Sequence, residues 1–471
     1  MTAGGEELAF ASAARQAELV REKQVSPVEL VETYLGRIER LDPALNCFVL
    51  VAGERALEQA RAAEEAVMRG GSLPPFHGVP VSIKDILSTA RVRSTRGSRA
   101  FVDEIPASDD NDVARLGAAG FVMLGKTNTP ELAIYPWTEP ELFGPTRNPW
   151  NTELTPGGST GGGGAALAAG LCPVSEGTDG GGSIRCPASC CGVFGIKPSR
   201  GRVSCAPRFG ELIGGFMTLG PLTRTVQDAA GVLDALSGYV AGDPYWASSP
   251  ERPFVREVGQ DPGRLRVGLV TRSALGEVHA DCVAATEDAA ALLEELGHSV
   301  SPTELELTEG LVRDFQTIWF ASLAATQVPD WSKTESKTQE QADLGRGIPA
   351  PDYLQALAAL RSFSRRVVSM WEDYDLLLTP TLAQPLFKIG TPKSFPAAEM
   401  LEKRFEFSPF TPVFNITGQP AASLPLWWNS DEVPIGVQLV GPPAGEAVLF
   451  RVSSQLEEAR PWQQRRPPTA R

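Results

Sequence analysis

Two serines lie inside unusually glycine-rich stretches of the sequence. Ser159 lies in the run GGSTGGGG at 157–164, and Ser183 directly follows the three glycines at 180–182. Glycine loses more backbone freedom on folding than any other residue, so such runs are costly unless the backbone needs them. Two needs are common: a cradle for phosphate, or a tight loop that presents a side chain beside exposed N–H groups.

The phosphate interpretation is disfavoured by the residues on either side of the first run. A P-loop ends in a Lys-Ser or Lys-Thr pair, but Gly164 is followed by Ala165 and Ala166. A dinucleotide-binding loop follows an apolar strand, whereas the polar segment NTELTP at 151–156 precedes this one. Nucleotide binding is therefore not expected.

Residues 157–161 also match the G-x-S-x-G nucleophile elbow, which requires a histidine base after the serine. The chain has three histidines, and His77 precedes Ser159. His279 and His298 lie in polar or helix-end contexts and are predicted to be solvated surface residues. A histidine-dependent esterase that uses Ser159 remains an alternative function.

With histidine scarce, lysine is the other candidate base for a serine. Lys84 follows Val79, Val81 and Ile83, whose alternation is typical of a short strand. Burial there would lower the pKa of the lysine toward neutrality. Lys126 and Lys197 also lie near glycines, and periodicity alone does not choose among the three lysines.

Composition and charge limit the classes of partner. The 471 residues carry a formal net charge of −14, which disfavours nucleic acid and acidic membranes as partners. There is no apolar run long enough for a membrane span, and the first ten residues lack a secretory pattern, so a cytoplasmic protein is expected. Of seven cysteines, Cys186, Cys190 and Cys191 cluster without CxxC arms, which favours a packed helix over a metal site. No metal or cofactor is expected.

The periodicity of the chain predicts alternating helices and strands. Ser26, Pro27 and Glu29 form a capping box that starts a helix, and 54–67 is a second helical stretch. Further helices are predicted at 165–169, 284–296 and 353–371. Strands are predicted at 79–84, 121–124, 265–270, 376–378 and 435–440. Alternation of this kind indicates an α/β fold. We predict a single domain over 1–471, with N-terminal helices at about 6–67 and a core at about 75–235.

Several segments resemble the motifs of the amidase signature family. They are HGVPVSIKD (77–85), GKTNTPEL (125–132), PGGSTGG (156–162), GTDGGGSIRCPA (177–188), GVFGIKP (192–198), GPLTR (220–224) and PIGVQLVG (434–441). They occur in order over nearly the whole chain. The resemblance implies an α/β/α sandwich around a large mixed β-sheet.

The resemblance also implies the residues of a catalytic site. Ser183 would be the nucleophile, Ser159 a bridging serine on a cis peptide bond, and Lys84 the base. The remaining implied roles are an oxyanion hole formed by the N–H groups of Gly180, Gly181, Gly182 and Ser183, and loop support by Asp179 and Arg185. Two positions depart from the family pattern, since Thr160 replaces a common serine and Gly180 a common threonine.

The implied activity is hydrolysis of linear amide C–N bonds through an acyl-enzyme. A glutaminase subunit of a tRNA-dependent amidotransferase is the alternative within the family. Such subunits carry Ser-Leu-Asp-Gln after the signature, where this chain has SCAPRFG at 204–210. A catalytically dead binding protein is disfavoured by the intact Lys84, Ser159 and Ser183.

Aromatic residues in the least family-like stretches, 202–219 and 314–331, suggest the kind of substrate. Phe209, Phe216, Trp319 and Phe320 lie in these stretches and are expected to line an apolar pocket, together with Tyr135, Trp137 and Phe143 from earlier in the chain. Such a pocket favours apolar or aryl amides, with carbamates (urethanes) as a further class. The expected partner is therefore a small-molecule substrate, and the protein is expected to be a monomer or homodimer.

Overall fold

A single mixed β-sheet of eleven strands runs through the computed structural model, which describes residues 3–396 and 399–470. The strands are β1 (Phe48–Val51), β2 (Pro80–Lys84), β3 (Val122–Thr127), β4 (Val174–Asp179), β5 (Phe194–Lys197), β6 (Thr218–Thr223), β7 (Arg266–Leu269), β8 (Ser299–Pro302), β9 (Leu376–Pro380), β10 (Ala421–Trp428) and β11 (Pro434–Val440). Their order across the sheet is β1-β3-β2-β4-β6-β5-β10-β11-β9-β7-β8. Strands from both halves of the chain therefore share one sheet.

The sheet combines parallel and antiparallel pairs. Strands β3, β2 and β4 are parallel neighbours, as are β9, β7 and β8, and the strands between them pair antiparallel. Strands β2, β3 and β4 are buried at every position. Parallel strands covered on both faces are normally buried in this way. The predicted α/β fold with a large mixed sheet is confirmed.

Helices flank this sheet. They are α1 (Ala3–Phe10), α2 (Ala13–Arg21), α3 (Pro27–Leu45), α4 (Gly53–Arg69), α5 (Asn111–Ala118), α6 (Gly161–Ala168), α7 (Arg185–Cys191), α8 (Val226–Leu236), α9 (Ala280–Glu295), α10 (Glu309–Ala324), α11 (Ser336–Arg346), α12 (Ala350–Ser369), α13 (Met400–Phe407), α14 (Thr411–Thr417) and α15 (Glu446–Ala459). Throughout the described ranges, none of these helices has the length and apolarity of a membrane span.

The predicted start of helix α3 is confirmed. Ser26 caps it by accepting the N–H of Glu29 at 3.0 Å, and Pro27 occupies the first helical position. Proline suits that position because its missing N–H would have no partner inside the helix. The helix ends at Leu45, and the next residue, Asn46, caps it in the left-handed conformation.

The first glycine run differs from its predicted structure. Helix α6 begins at Gly161 rather than at 165, so four glycines lie inside the helix. A Cβ on Gly163 would lie 2.2 Å from Ser175 Oγ, and one on Gly162 would lie 2.5 Å from the backbone N of Asn128. The glycines therefore let α6 approach strand β4 and the end of β3 more closely than any side chain allows.

The cysteine cluster has the predicted environment. Cys186, Cys190 and Cys191 lie on α7 and are at most 1% exposed, within an apolar cluster that includes Ala188 and Leu167. Burial raises the pKa of the Cys186 thiol to about 11. These thiols are therefore protonated at neutral pH and pack as small apolar side chains.

Candidate active site

Lys84 and Ser159 are brought into contact by the ends of two elements. Lys84 is the last residue of β2, and Ser159 follows a cis Gly158–Ser159 peptide bond just before α6. Lys84 Nζ lies 2.8 Å from Ser159 Oγ and 2.7 Å from Thr178 Oγ1. Both lysine and serine are essentially inaccessible to solvent, at 0% and 1% exposure. This contact is that of a base with a hydroxyl whose proton it could accept.

Burial determines the charge of Lys84. Loss of solvent lowers the pKa of the Lys84 ammonium to about 7, although the carboxylates of Glu176 and Asp179 oppose that change. A lysine with a pKa near 7 is substantially neutral at physiological pH. Its nitrogen can then donate to Thr178 and accept a proton from Ser159.

The two other candidate lysines make different contacts. Lys126 Nζ donates to the carbonyl oxygen of Leu87 and lies 3.4 Å from Thr89 Oγ1. Lys197 Nζ donates to the carbonyl oxygen of Pro198 at 2.9 Å. Both are buried and have lowered pKa values, but neither contacts a serine hydroxyl. The geometry thus distinguishes Lys84, which periodicity could not.

Ser183 lies between β4 and α7, in the loop formed by the second glycine run. Its carbonyl oxygen accepts the N–H of Thr160 at 3.2 Å, so the two glycine-rich segments are joined directly. Ser183, Ser159, Thr178 and Gly180 line one cavity of about 1080 Å³. Unlike Ser159, Ser183 is partly accessible to solvent, as a residue that meets a substrate must be.

Asp179 and Arg185 hold the loop that carries Ser183. Asp179 Oδ1 accepts the N–H of Gly182 at 2.7 Å, and its Oδ2 accepts the N–H of Ile184 at 3.1 Å. Arg185 Nη2 and Nε donate to the same two oxygens at 2.8 and 3.0 Å. Burial alone would raise the pKa of Asp179, but the guanidinium outweighs it and holds that pKa well below its usual range.

Residues of the C-terminal half complete this support. Arg185 also donates to Asn415 Oδ1 and to Gln438 Oε1, both at 2.6 Å. Thr411 Oγ1, at the start of α14, donates to the carbonyl oxygen of Gly181 at 2.7 Å. Sequence reasoning did not single out Asn415 or Thr411, and Gln438 appeared only inside the family-like segment 434–441.

The two departures from the family pattern have visible consequences. Thr160 Oγ1 lies 3.5 Å from the carbonyl oxygen of Thr178, the outer limit for a hydrogen bond. Gly180 lines the cavity, and a Cβ there would lie 3.0 Å from Ile213 Cδ1. A side chain at 180 would therefore narrow the cavity beside Ser183.

A buried pair of acids that the sequence did not indicate lies behind the cavity. Burial raises the pKa of Asp112 to about 6 and that of Glu176 well above its ordinary value, and the contact between the two carboxyls raises the pKa of Glu176 further. Asp112 lines the large cavity.

Among the described residues, no histidine lines the large cavity. His77 is buried, and its Nε2 lies 2.9 Å from the carbonyl oxygen of Ala63. His279 caps α9, and its side chain is 42% accessible to solvent, in agreement with the predicted solvated position. The prediction for His298 is wrong: it is 5% exposed and bonds to the N–H of Leu265 and to Gln455 Oε1, because α15 covers it.

The predicted pocket aromatics divide into two groups. Phe209 and Trp319 line the large cavity, while Tyr135 and Trp319 line a second, small one. The prediction is wrong for the others: Trp137, Phe143, Phe216 and Phe320 line neither cavity. Trp137 stacks on Tyr135 with 5.3 Å between the ring centres, and Phe216 stacks on Phe315 with 6.2 Å between them. Phe320 is 4% exposed and lies in the same apolar core.

Aliphatic side chains supply much of the large cavity's apolar lining instead. The large apolar side chains of this lining include Ile86, Ile134, Leu212, Ile213, Met217 and Leu323. Sequence periodicity could not identify them, because most come from loops and only Leu323 lies on α10. The cavity can hold a drug-sized apolar group beside Ser183.

The site combines Lys84 at the end of a strand of the mixed sheet, Ser159 and Ser183 in glycine-rich loops, and the Asp179–Arg185 pair. This combination suits a hydrolase with a serine nucleophile and a lysine base. The Amidase family model matches residues 29–450. A putative amidase of Synechocystis sp. is 38% identical over 95% of this chain and 88% of its own length. The chain therefore belongs to the amidase signature family and is an amidase, a hydrolase of C–N bonds other than peptide bonds.

Solved structures agree with this assignment. The structure of 6-aminohexanoate cyclic dimer hydrolase complexed with substrate has a TM-score of 0.91 and 34% identity, covering 98% of this chain and 100% of that one. A bacterial aryl acylamidase of the amidase signature family has a TM-score of 0.89 and 28% identity, covering 97% of each chain.

Proposed function

We propose that the protein hydrolyses amides through an acyl-enzyme on Ser183, with Ser159 and Lys84 relaying the proton. The observation that carries this proposal is the contact of 2.8 Å between Lys84 Nζ and Ser159 Oγ beside a cavity that also exposes Ser183. Neutral Lys84 takes the proton of Ser159 while Ser159 takes that of Ser183. Ser183 Oγ then bonds to the scissile carbonyl carbon.

The backbone around Ser183 stabilises the oxygen that becomes negative in this step. The N–H of Gly182 is already donated to Asp179, so the proposed oxyanion donors are the N–H groups of Gly180, Gly181 and Ser183. Removal of one such donor typically costs about 10²–10³ in rate. The proton relay then runs in reverse and protonates the leaving nitrogen, and water hydrolyses the acyl-enzyme.

A covalent probe tests the nucleophile. After reaction with a sulfonyl fluoride, mass spectrometry should place the adduct on the peptide that contains Ser183, and Ser183→Ala should abolish it. Ser322→Ala is the matched control, since Ser322 lines the same cavity but, within the part of the chain that the structure describes, has no hydrogen bond to a lysine. An adduct on Ser159 would instead favour the histidine-dependent esterase alternative.

The apolar lining of the large cavity supports apolar or aryl amides as substrates, with aryl carbamates as a slower class. Burial of each methylene contributes about 0.8 kcal/mol, so each added methylene of an acyl anilide should raise kcat/KM about fourfold until the cavity is full. Carbamates present the same carbonyl atoms to Ser183 but are less electrophilic. Faster turnover of acetamide or glutamine than of any anilide would contradict this substrate class.

A further inference from the structure

Arg404 lies in the wall of the small cavity on the other side of Ser183. This cavity, of about 40 Å³, is also lined by Gly181, Gly182 and Trp319. Arg404 is on α13 and only 9% exposed. Its guanidinium carbon lies 4.9 Å from the ring centre of Tyr135 and 5.1 Å from that of Trp319, so two aromatic rings hold the cation in place.

The polar contacts of this guanidinium are sparse. Nη2 lies 3.4 Å from Gln341 Oε1, a long hydrogen bond, and Nε is buried without a partner. Across residues 3–396 and 399–470, no carboxylate forms an ion pair with Arg404. Burial lowers the pKa of Arg404 to about 10. The group nevertheless remains a cation at neutral pH.

Other arginines buried to the same degree have more polar partners than Arg404. Arg185 and Arg202 pair with the carboxylates of Asp179 and Glu446. Arg37 and Arg224 have no carboxylate, and each has one buried nitrogen without a partner, but Arg37 donates to three backbone carbonyl oxygens and Arg224 to four, against the single long contact of Arg404. A buried cation without such partners is costly, and binding sites commonly retain that cost because the ligand removes it. Arg404 thus differs from the arginines that serve only the fold.

We propose that Arg404 binds a carboxylate carried by the substrate, so that preferred substrates are amides with a carboxylate close to the scissile bond. The proposal rests on Ser183 being the nucleophile. A guanidinium matches a carboxylate in shape and can donate two parallel hydrogen bonds to it. The small cavity, of about 40 Å³, has room for a small polar group such as a carboxylate, whereas the large cavity, of about 1080 Å³, has room for a bulky one.

The placement of Ser183 lets one substrate reach both cavities. Ser183, Ile134 and Trp319 belong to the lining of each cavity. A substrate whose carbonyl lies at Ser183 can therefore place an apolar or aryl group in the large cavity and a carboxylate against Arg404. The large cavity then limits the size of the substrate's apolar or aryl group, and Arg404 in the small cavity selects for the substrate's carboxylate.

Matched substrate pairs test the proposal. On the acyl side, the mono-anilide of succinic acid is compared with the anilide of 4-oxopentanoic acid, in which a methyl ketone replaces the carboxylate. On the amine side, N-benzoylglycine is compared with N-benzoylaminoacetone. In at least one pair, wild-type kcat/KM should favour the carboxylate by about 10- to 100-fold, the usual effect of a hydrogen bond to a charged group.

The Arg404→Met variant should lower that ratio to about one while it still hydrolyses the neutral member of the pair. Arg99→Met is the matched control, because Arg99 lines the large cavity and pairs with Glu141; it should keep the ratio. Arg404→Lys should retain an intermediate preference, since it keeps the charge but not the fork.

Two outcomes would overturn the role of Arg404. They are equal wild-type turnover within both pairs, and a carboxylate preference that survives Arg404→Met, including an equal loss on both members. The first needs no variant, so it decides the question even if Arg404→Met fails to fold. Failure of the wild type to hydrolyse any neutral anilide would count instead against the proposed function.

Discussion

The charge state of Lys84 gives the sharpest prediction. Its ordinary pKa of 10.5 falls to about 7 in the fold because the ammonium is buried. At pH 7 about half of the molecules then carry neutral Lys84, whereas an ordinary lysine would be neutral in about one molecule in 3,000. If Lys84 is the base, kcat/KM should rise about tenfold per pH unit below pH 7 and level off above it, because kcat/KM follows the free enzyme.

The assay is anilide hydrolysis at low substrate concentration from pH 5 to pH 10, at constant ionic strength. At pH 5 about 1% of Lys84 is neutral, so kcat/KM should be about 1% of its plateau. Lys84→Met should lower the plateau by about 10²–10⁴, the usual contribution of a general base. Lys126→Met is the control: it removes a buried lysine that contacts no serine, and it should leave the acid limb in place.

Two results would refute this reasoning. A rate that continues to climb through pH 9 would mean that Lys84 keeps an ordinary pKa despite its burial. An acid limb that persists in Lys84→Met, but disappears when a histidine is replaced, would transfer the base to that histidine.

Three further predictions follow from the same contacts. First, the pKa of Lys84 is lower in the folded than in the unfolded protein. As pH falls from 10.5 to 7, the wild type should therefore lose stability relative to Lys84→Met, by at most about 1.4 kcal/mol per pH unit in urea unfolding. A stability difference that stays constant over this pH range would contradict a neutral lysine. Second, Gly163→Ala should lower stability by about 1–3 kcal/mol or more in thermal unfolding, because its Cβ would lie 2.2 Å from Ser175 Oγ. The control is Gly36→Ala on α3, where the new Cβ meets open space; it should be neutral or slightly stabilising. Third, Asn415→Ala should lower kcat by about 10²-fold with little change in KM, because the loop of Ser183 loses its support; a change confined to KM would place Asn415 in substrate binding instead.

The sequence was sufficient to predict the parts of the site that lie in local motifs. Helix α3 follows from its capping box, and strand β2 follows from the alternation that ends at Lys84. The Ser159 and Ser183 loops were recognisable because glycine density on that scale demands a reason. In each case, neighbouring residues along the chain carry the whole signal.

Residues that depend on contacts between distant segments could not be predicted in this way. Asn415 and Thr411 matter only because α14 packs against the loop after β4, more than 200 positions away. Trp319 and Phe320 are adjacent on α10, yet only Trp319 reaches the cavities. Periodicity places both on a helix but does not say what each side of that helix meets. No local sequence pattern marks Arg404, because its proposed role rests on how few polar contacts it has in the folded chain.

The hydrogen bonds from Arg185 to Asn415 and Gln438 have a consequence for when the protein becomes active during translation. Lys84, Ser159 and Ser183 have all left the exit tunnel long before α14 and β11 are made. Until then Arg185 lacks two of its acceptors, and Gly181 lacks the hydroxyl of Thr411. A nascent chain that already carries every proposed catalytic residue would therefore have an unsupported nucleophile loop, and activity would arise only after α14 and β11 have been made.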